Sequence, residues 1–94
     1  MADATTVKGA ADGHDVMLYA LSTCIWCKKT KKLLDTLGVT YRYYFVDQLT
    51  GADEDGVMAE VKRHNPQCTF PTLVIDGRHC IVGFKEPEIR KALA

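Results

Sequence analysis

Apolar positions along this chain alternate between unbroken short runs and helical stripes. Val16-Met17-Leu18-Tyr19-Ala20 is a continuous apolar run of strand length, as expected for a strand covered on both faces. From Ile25 to Leu37 the period lengthens. Cys27, Thr30, Leu34 and Leu37 recur every three or four residues with Leu33 beside them, while Lys28, Lys29, Lys32 and Asp35 fall outside that stripe. The spacing predicts an amphipathic helix that Gly38 stops. Tyr41 to Val46 is aromatic and β-branched and predicts a second strand, closed by Asp47. Thr50 and Asp53 resemble a capping pair opening a second helix from Ala52 to His64, with Val57, Met58 and Val61 inward and Asn65-Pro66 ending it. Thr72 to Ile75 predicts a third strand, and Asp76-Gly77 a tight hairpin into Arg78–Val82. Pro87 then fits the first turn of a short terminal helix reaching Leu93.

The element order is strand–helix–strand–helix–strand–strand–helix. It predicts an α/β fold: a right-handed parallel crossover followed by a hairpin and a helix, with helices covering a four-stranded mixed sheet. At 94 residues the chain is expected to be one domain. Residues 1–14, rich in Ala, Thr, Gly and Asp, are read as a flexible leader and residues 15–94 as the domain.

A formal net charge of zero argues against nucleic-acid binding, because nothing would neutralise a run of phosphates. No stretch has the length and apolarity of a signal peptide or a membrane span, so no membrane association is expected and the assigned compartment is the cytoplasm. In that reducing setting the four cysteines are not read as two structural disulfides.

Cys24-Ile25-Trp26-Cys27 carries the chemistry. Cys24 falls where a strand gives way to a helix, so unpaired N–H groups and the positive end of the helix dipole point at it. A thiolate is favoured there over a thiol, and the thiolate is the nucleophile. Cys27 lies one turn later on the core-facing stripe, close enough for a disulfide. The expected reaction has Cys24 attack a substrate disulfide and Cys27 resolve the mixed disulfide. The rival reading of such a pair is half a zinc site. A second close pair is then required, and Cys68 and Cys80 stand twelve apart. Incidental structural cysteines are the third reading.

The chain resembles the glutaredoxin family. The resemblance spans residues 15–94 and rests on Thr23-Cys24-Ile25-Trp26-Cys27, Thr69-Phe70-Pro71 and Val82-Gly83-Phe84. It implies a thioredoxin-like fold with strand order second–first–third–fourth, the third strand antiparallel to the first. It also implies a cis peptide before Pro71, which shapes the site, with Thr69 and Phe70 presenting backbone to an extended substrate and Val82 and Gly83 bordering the same groove. The implied activity is dithiol reduction of protein disulfides or glutathione-mixed disulfides. No tightly bound cofactor is implied; glutathione is the candidate co-substrate, and an electron-donating reductase the other candidate partner of a monomer. The sequence departs from the common family pattern in three places. Ile25-Trp26 replaces Pro-Tyr, Leu21 replaces a lysine that helps hold a glutathione carboxylate, and Ile81-Val82-Gly83-Phe84-Lys85 stands where many members have a Gly-Gly pair. The last feature is similar to redoxins that feed ribonucleotide reductase, an alternative role here. A [2Fe–2S] carrier formed by dimerisation and a thiol sensor without turnover are two others.

Several residues keep two readings. Trp26 either lines a substrate groove beside Cys24 or folds back on the surface. Cys68 is either a third redox thiol or a small buried residue, and Cys80 reads as core. The Lys28–Lys32 cluster is either a solvated helix face or a device for steering acidic partners. His64 suits a helix end, Asp53-Glu54-Asp55 a helix start, and His14 and His79 show no partner in the sequence.

Overall fold

The structure, a computed structural model, describes residues 4–93. Strand β1 is Thr5–Val7, β2 Val16–Ala20, helix α1 Ile25–Leu37, and β3 Tyr41–Phe45. A short 3-10 turn, Val46–Gln48, leads to α2 at Gly51–His64. Strand β4 (Thr72–Ile75), β5 (His79–Val82) and α3 (Glu86–Ala92) complete the chain.

The sheet has the order β1-β3-β2-β4-β5. Strands β2 and β3 run parallel, with Leu18 opposite Tyr43, and β4 runs antiparallel to β2, with Leu18 opposite Leu73. The four expected strands therefore keep their expected order, and a fifth is added at the edge. That strand corrects the reading of residues 1–14 as a flexible leader. Thr5–Val7 pairs antiparallel with Tyr41–Tyr43, and Ala11 N–H donates to the carbonyl of Gly38 at 2.9 Å. The backbone of this segment is held by hydrogen bonds that its composition does not disclose. Residues 1–3 of the expected leader lie outside the described residues.

Alternation along β2 sends its side chains to two cores. Val16, Leu18 and Ala20 pack with Leu33 and Leu34 of α1 and Ile89 of α3. On the opposite face Tyr19 packs with Val57 and Val61 of α2 and Val74 of β4. The continuous apolar run at 16–20 is thus a strand buried on both faces. Gly38 ends α1 at a left-handed φ of 70°, as expected of a C-terminal glycine. Asp76 and Gly77, with φ of 56° and 73°, make the expected turn, although pairing resumes at His79 rather than Arg78. At α2 the Thr50 side chain makes no cap bond, and the helix starts at Gly51 rather than Ala52.

Candidate active site

The end of β2 and the start of α1 are joined by Leu21-Ser22-Thr23, and the loop is pinned from two sides. Ser22 N–H donates to Oδ1 of Asp47 at 2.9 Å, and the Ser22 hydroxyl donates to the other carboxylate oxygen. Asp47 sits in the 3-10 turn after β3, so the parallel neighbour of β2 fixes the entry to α1. These bonds hold the Asp47 carboxyl below its ordinary range, the hydroxyl contributing most. Cys24 N–H then closes a turn onto the carbonyl of Leu21 at 3.2 Å.

Cys24 is the N-cap of α1, with extended backbone (φ −90°, ψ 119°). Its Sγ accepts the Cys27 N–H at 3.2 Å, so the sulfur fills the place of a capping oxygen. No acidic residue lies in the first turn of the helix, and the positive end of the helix faces the sulfur uncompensated. Cys24 is half-buried; Cys27 is 1% exposed in the core. Burial, with a smaller contribution from the neighbouring Cys24 sulfur, pushes the Cys27 thiol up to about 12. The two sulfurs are thus unequal in access, as the attack-and-resolve assignment needs.

The loop before β4 packs, through Phe70, against the same core cluster as Cys24. The Phe70–Pro71 peptide is cis, as the family resemblance implied. Asn65, 5% exposed at the end of α2, organises this loop: its side-chain amide reaches the Thr69 carbonyl, the Thr69 hydroxyl and the Thr72 hydroxyl, each at 3.1 Å. The Thr72 hydroxyl donates to the same Thr69 carbonyl at 2.7 Å. The Thr69 carbonyl is therefore engaged internally, which corrects the expectation that this part of its backbone is presented to substrate. Pro71 accepts the Gly83 N–H at 2.9 Å, and Gly83 takes a φ of 86° that side chains other than glycine rarely adopt.

Trp26, Phe70, Pro71, Gly83 and Phe84 line a cleft of about 300 Å³ beside this loop. Val82 pairs with Thr72 one residue behind and is not part of the lining. Trp26 packs on the surface and borders a cleft at the same time. Its ring stacks on Phe84 with centroids 6.2 Å apart, yet the residue stays 53% exposed and lines the cleft. The Lys29 ammonium lies 4.7 Å from the indole centroid. A larger depression of about 570 Å³ against α2, lined in part by Tyr44, Gly56 and Arg63, shares no residue with the Cys24 side.

Sequence reasoning missed Asp47, Asn65 and Phe84. Asp47 looked like a strand terminus and Asn65 like a helix stop, and both are those things as well. Phe84 lay within a quoted motif without being singled out. Cys68 has a left-handed φ of 52° and packs against the α2-side core. Cys80 is half-buried rather than core, and burial raises its thiol above the ordinary range. Among the described residues no group of three or more His, Cys, Asp and Glu side chains could hold a metal ion. No described helix is long and apolar enough to cross a membrane.

Comparison with known proteins follows the same lines. The family model described as Glutaredoxin matches residues 16–80. An uncharacterized glutaredoxin-like 8.6 kDa protein of the rubredoxin operon of Clostridium pasteurianum is 36% identical over 78 residues, covering 83% of this chain and 96% of that one. Among solved structures, the glutaredoxin from Methanosarcina mazei Go1 superposes with a TM-score of 0.89 at 50% identity, covering 97% of this chain and 87% of that one. Methanosarcina acetivorans methanoredoxin gives 0.87 at 48% identity, covering 92% and 90%.

Proposed function

Because this chain belongs to the glutaredoxin family, whose members are thiol–disulfide oxidoreductases, we propose that it reduces protein disulfides and glutathione-mixed disulfides with Cys24 attacking and Cys27 resolving. The observation that carries this reading is the asymmetry of one helical turn. Cys24 is half-buried at the helix mouth with its sulfur accepting the Cys27 N–H at 3.2 Å, while Cys27 is sealed beneath it.

The Cys24 thiolate attacks one sulfur of a substrate disulfide in line with the S–S bond. A Cys24–substrate disulfide forms, and the other substrate sulfur leaves as a thiolate that takes a proton from water. Cys27 next loses its proton and attacks the Cys24 sulfur, releasing the second substrate thiolate. Two electrons have then passed from the dithiol to the substrate, and Cys24–Cys27 is a disulfide. Two molecules of glutathione or one dithiol reductase return two electrons and two protons.

Burial of Cys27 times the second step. Its thiol holds its proton chiefly through burial and secondly through the hydrogen bond with the Cys24 sulfur. In the mixed disulfide the Cys24 sulfur carries no charge, so its smaller contribution falls away and the resolving proton comes off more easily. Leu21, packed into the α2-side core, offers no ammonium to a glutathione carboxylate. Recognition of either substrate class therefore falls to the cleft walls, where the Phe70–Pro71 segment suits an extended chain.

The test is trapping. Cys27→Ser, mixed with a disulfide substrate, is expected to accumulate a stable adduct on Cys24 by mass spectrometry, while Cys24→Ser accumulates none and has no turnover. Turnover by Cys24→Ser in excess reductant, or an adduct on Cys68, overturns the assignment.

A further inference from the structure

Beside the site lies a second cleft, of about 330 Å³, between α1 and α3. It shares Phe84 with the cleft lined by Trp26 and Pro71, so one aromatic ring walls both. The two differ in character. The first is lined by aromatic rings, proline and glycine; the second presents Lys29, Lys32 and Arg90 against one carboxylate, Glu86. Glu86 is already paired with Arg90 at 2.8 Å. Neither Lys29 nor Lys32 has a carboxylate partner among the described residues, and Lys29 leans over the Trp26 ring instead. The chain as a whole has a net charge of zero, so this positive strip is a local feature.

We propose that the α1–α3 cleft is a specificity site for protein substrates whose disulfide is flanked by acidic residues. The inference rests on the thiol exchange proposed above and adds the class of chain that it acts on. A substrate cysteine at Cys24 places its neighbouring side chain on the Trp26–Phe84 plate. Ile25 and Trp26, 60% and 53% exposed, are the exposed large hydrophobic residues of the described chain and sit where that neighbour arrives. The segment running past Phe84 then crosses Lys29 and Lys32, where Asp or Glu side chains meet ammonium groups without a carboxylate partner among the described residues, beside the Arg90–Glu86 pair. An uncharged or basic segment gains nothing there, and a basic one is repelled.

The experiment compares short peptides of one length, each with its cysteine capped as a disulfide with 2-mercaptoethanol and flanked on both sides by Asp, by Ser or by Lys residues. Reduced full-length protein is mixed with each peptide in single turnover, and release of peptide thiol is followed by quenched chromatography. The Asp peptide is expected to react about tenfold faster than the Lys peptide at low ionic strength, from a few exposed contacts acting together. The preference is expected to collapse in 0.5 M salt. In the double variant Lys29→Glu/Lys32→Glu the order of the Asp and Lys peptides is expected to invert. Trp26→Ala separately tests the shared aromatic wall by lowering the advantage of a Phe over an Ala next to the cysteine. Equal rates for all three peptides, or an Asp preference that survives the double variant, overturn the inference while leaving the exchange chemistry standing. Failure to reduce any peptide overturns the exchange reading itself.

Discussion

The starts of α1 and α2 solve the same problem in opposite ways. Both helices follow extended backbone and both begin with unpaired N–H groups. At α2 the first turn carries Asp53 and Glu54, which compensate the dipole, and Thr50 stands at the cap without a side-chain bond. At α1 no first-turn acid is present, and the cap is a cysteine whose sulfur takes an N–H that an oxygen would take more strongly. The second helix is thus arranged for stability. The first leaves its electrostatic end to one sulfur, and the difference marks the start of α1 as the candidate reactive terminus.

The largest test of that contrast is Cys24→Ser against Thr50→Ser. Serine caps a helix well, so both variants are expected to keep the parent's thermal midpoint. Turnover should fall by at least about a thousandfold in the first and stay unchanged in the second. A Cys24→Ser protein that loses its fold would show that the cap, and not the nucleophile, is the purpose of this position.

The next test is alkaline titration of the reduced protein. Cys27 holds its proton up to about 12 in the folded state against an ordinary 9.0, chiefly through burial. Tyr19 and Tyr41 are raised in the same direction, again chiefly by burial. Below the ordinary values both folded and unfolded chains are protonated and these contributions are intact. As pH climbs past 9 the unfolded chain sheds protons that the folded one keeps, so stability falls until the folded values are reached. Urea midpoints at successive pH values between 8 and 11 should decline steadily, and a flat profile would show that these groups are not sealed.

Smaller effects fall on the surroundings of Cys24. Lys28→Glu places at α1 the kind of acid that α2 already has, and should slow alkylation of Cys24 at pH 7 about threefold. Asp47→Ala releases the Ser22 tether and should lower turnover by a few-fold, with secondary structure by circular dichroism unchanged. The tether is strongest while Asp47 is ionised, and it is lost as pH falls through the depressed folded value. The smallest effect is Thr50→Ala. With no side-chain cap bond to lose, it should cost no more than about 0.3 kcal/mol in chemical denaturation, well under the usual loss at an N-cap.

Much of the architecture was written in period and punctuation. The 16–20 run, the Ile25–Leu37 stripe with its Gly38 stop, the 72–75 strand and the Asp76-Gly77 turn all fall where local pattern puts them. Local pattern suffices there because each element's own side-chain spacing decides which face is buried. Thr5–Val7 escaped notice for the opposite reason. Three residues have no readable period, and they form a strand only because β3 offers them a free edge. Gly9 shows how closely that segment is held, since a Cβ there would collide with the Gly38 carbonyl oxygen.

The site divides along the same line. By itself the sequence determined which sulfur stands at a helix mouth and which lies one turn deeper, because three-residue spacing and a strand-to-helix transition are local facts. Only the tertiary structure decided what surrounds them: Asp47 reaching across from the neighbouring strand, Asn65 holding the loop before Pro71, and Phe84 closing on Trp26. Those partners are brought together by sheet pairing and helix packing, so their meeting depends on contacts among segments far apart along the chain, which no single stretch of residues encodes.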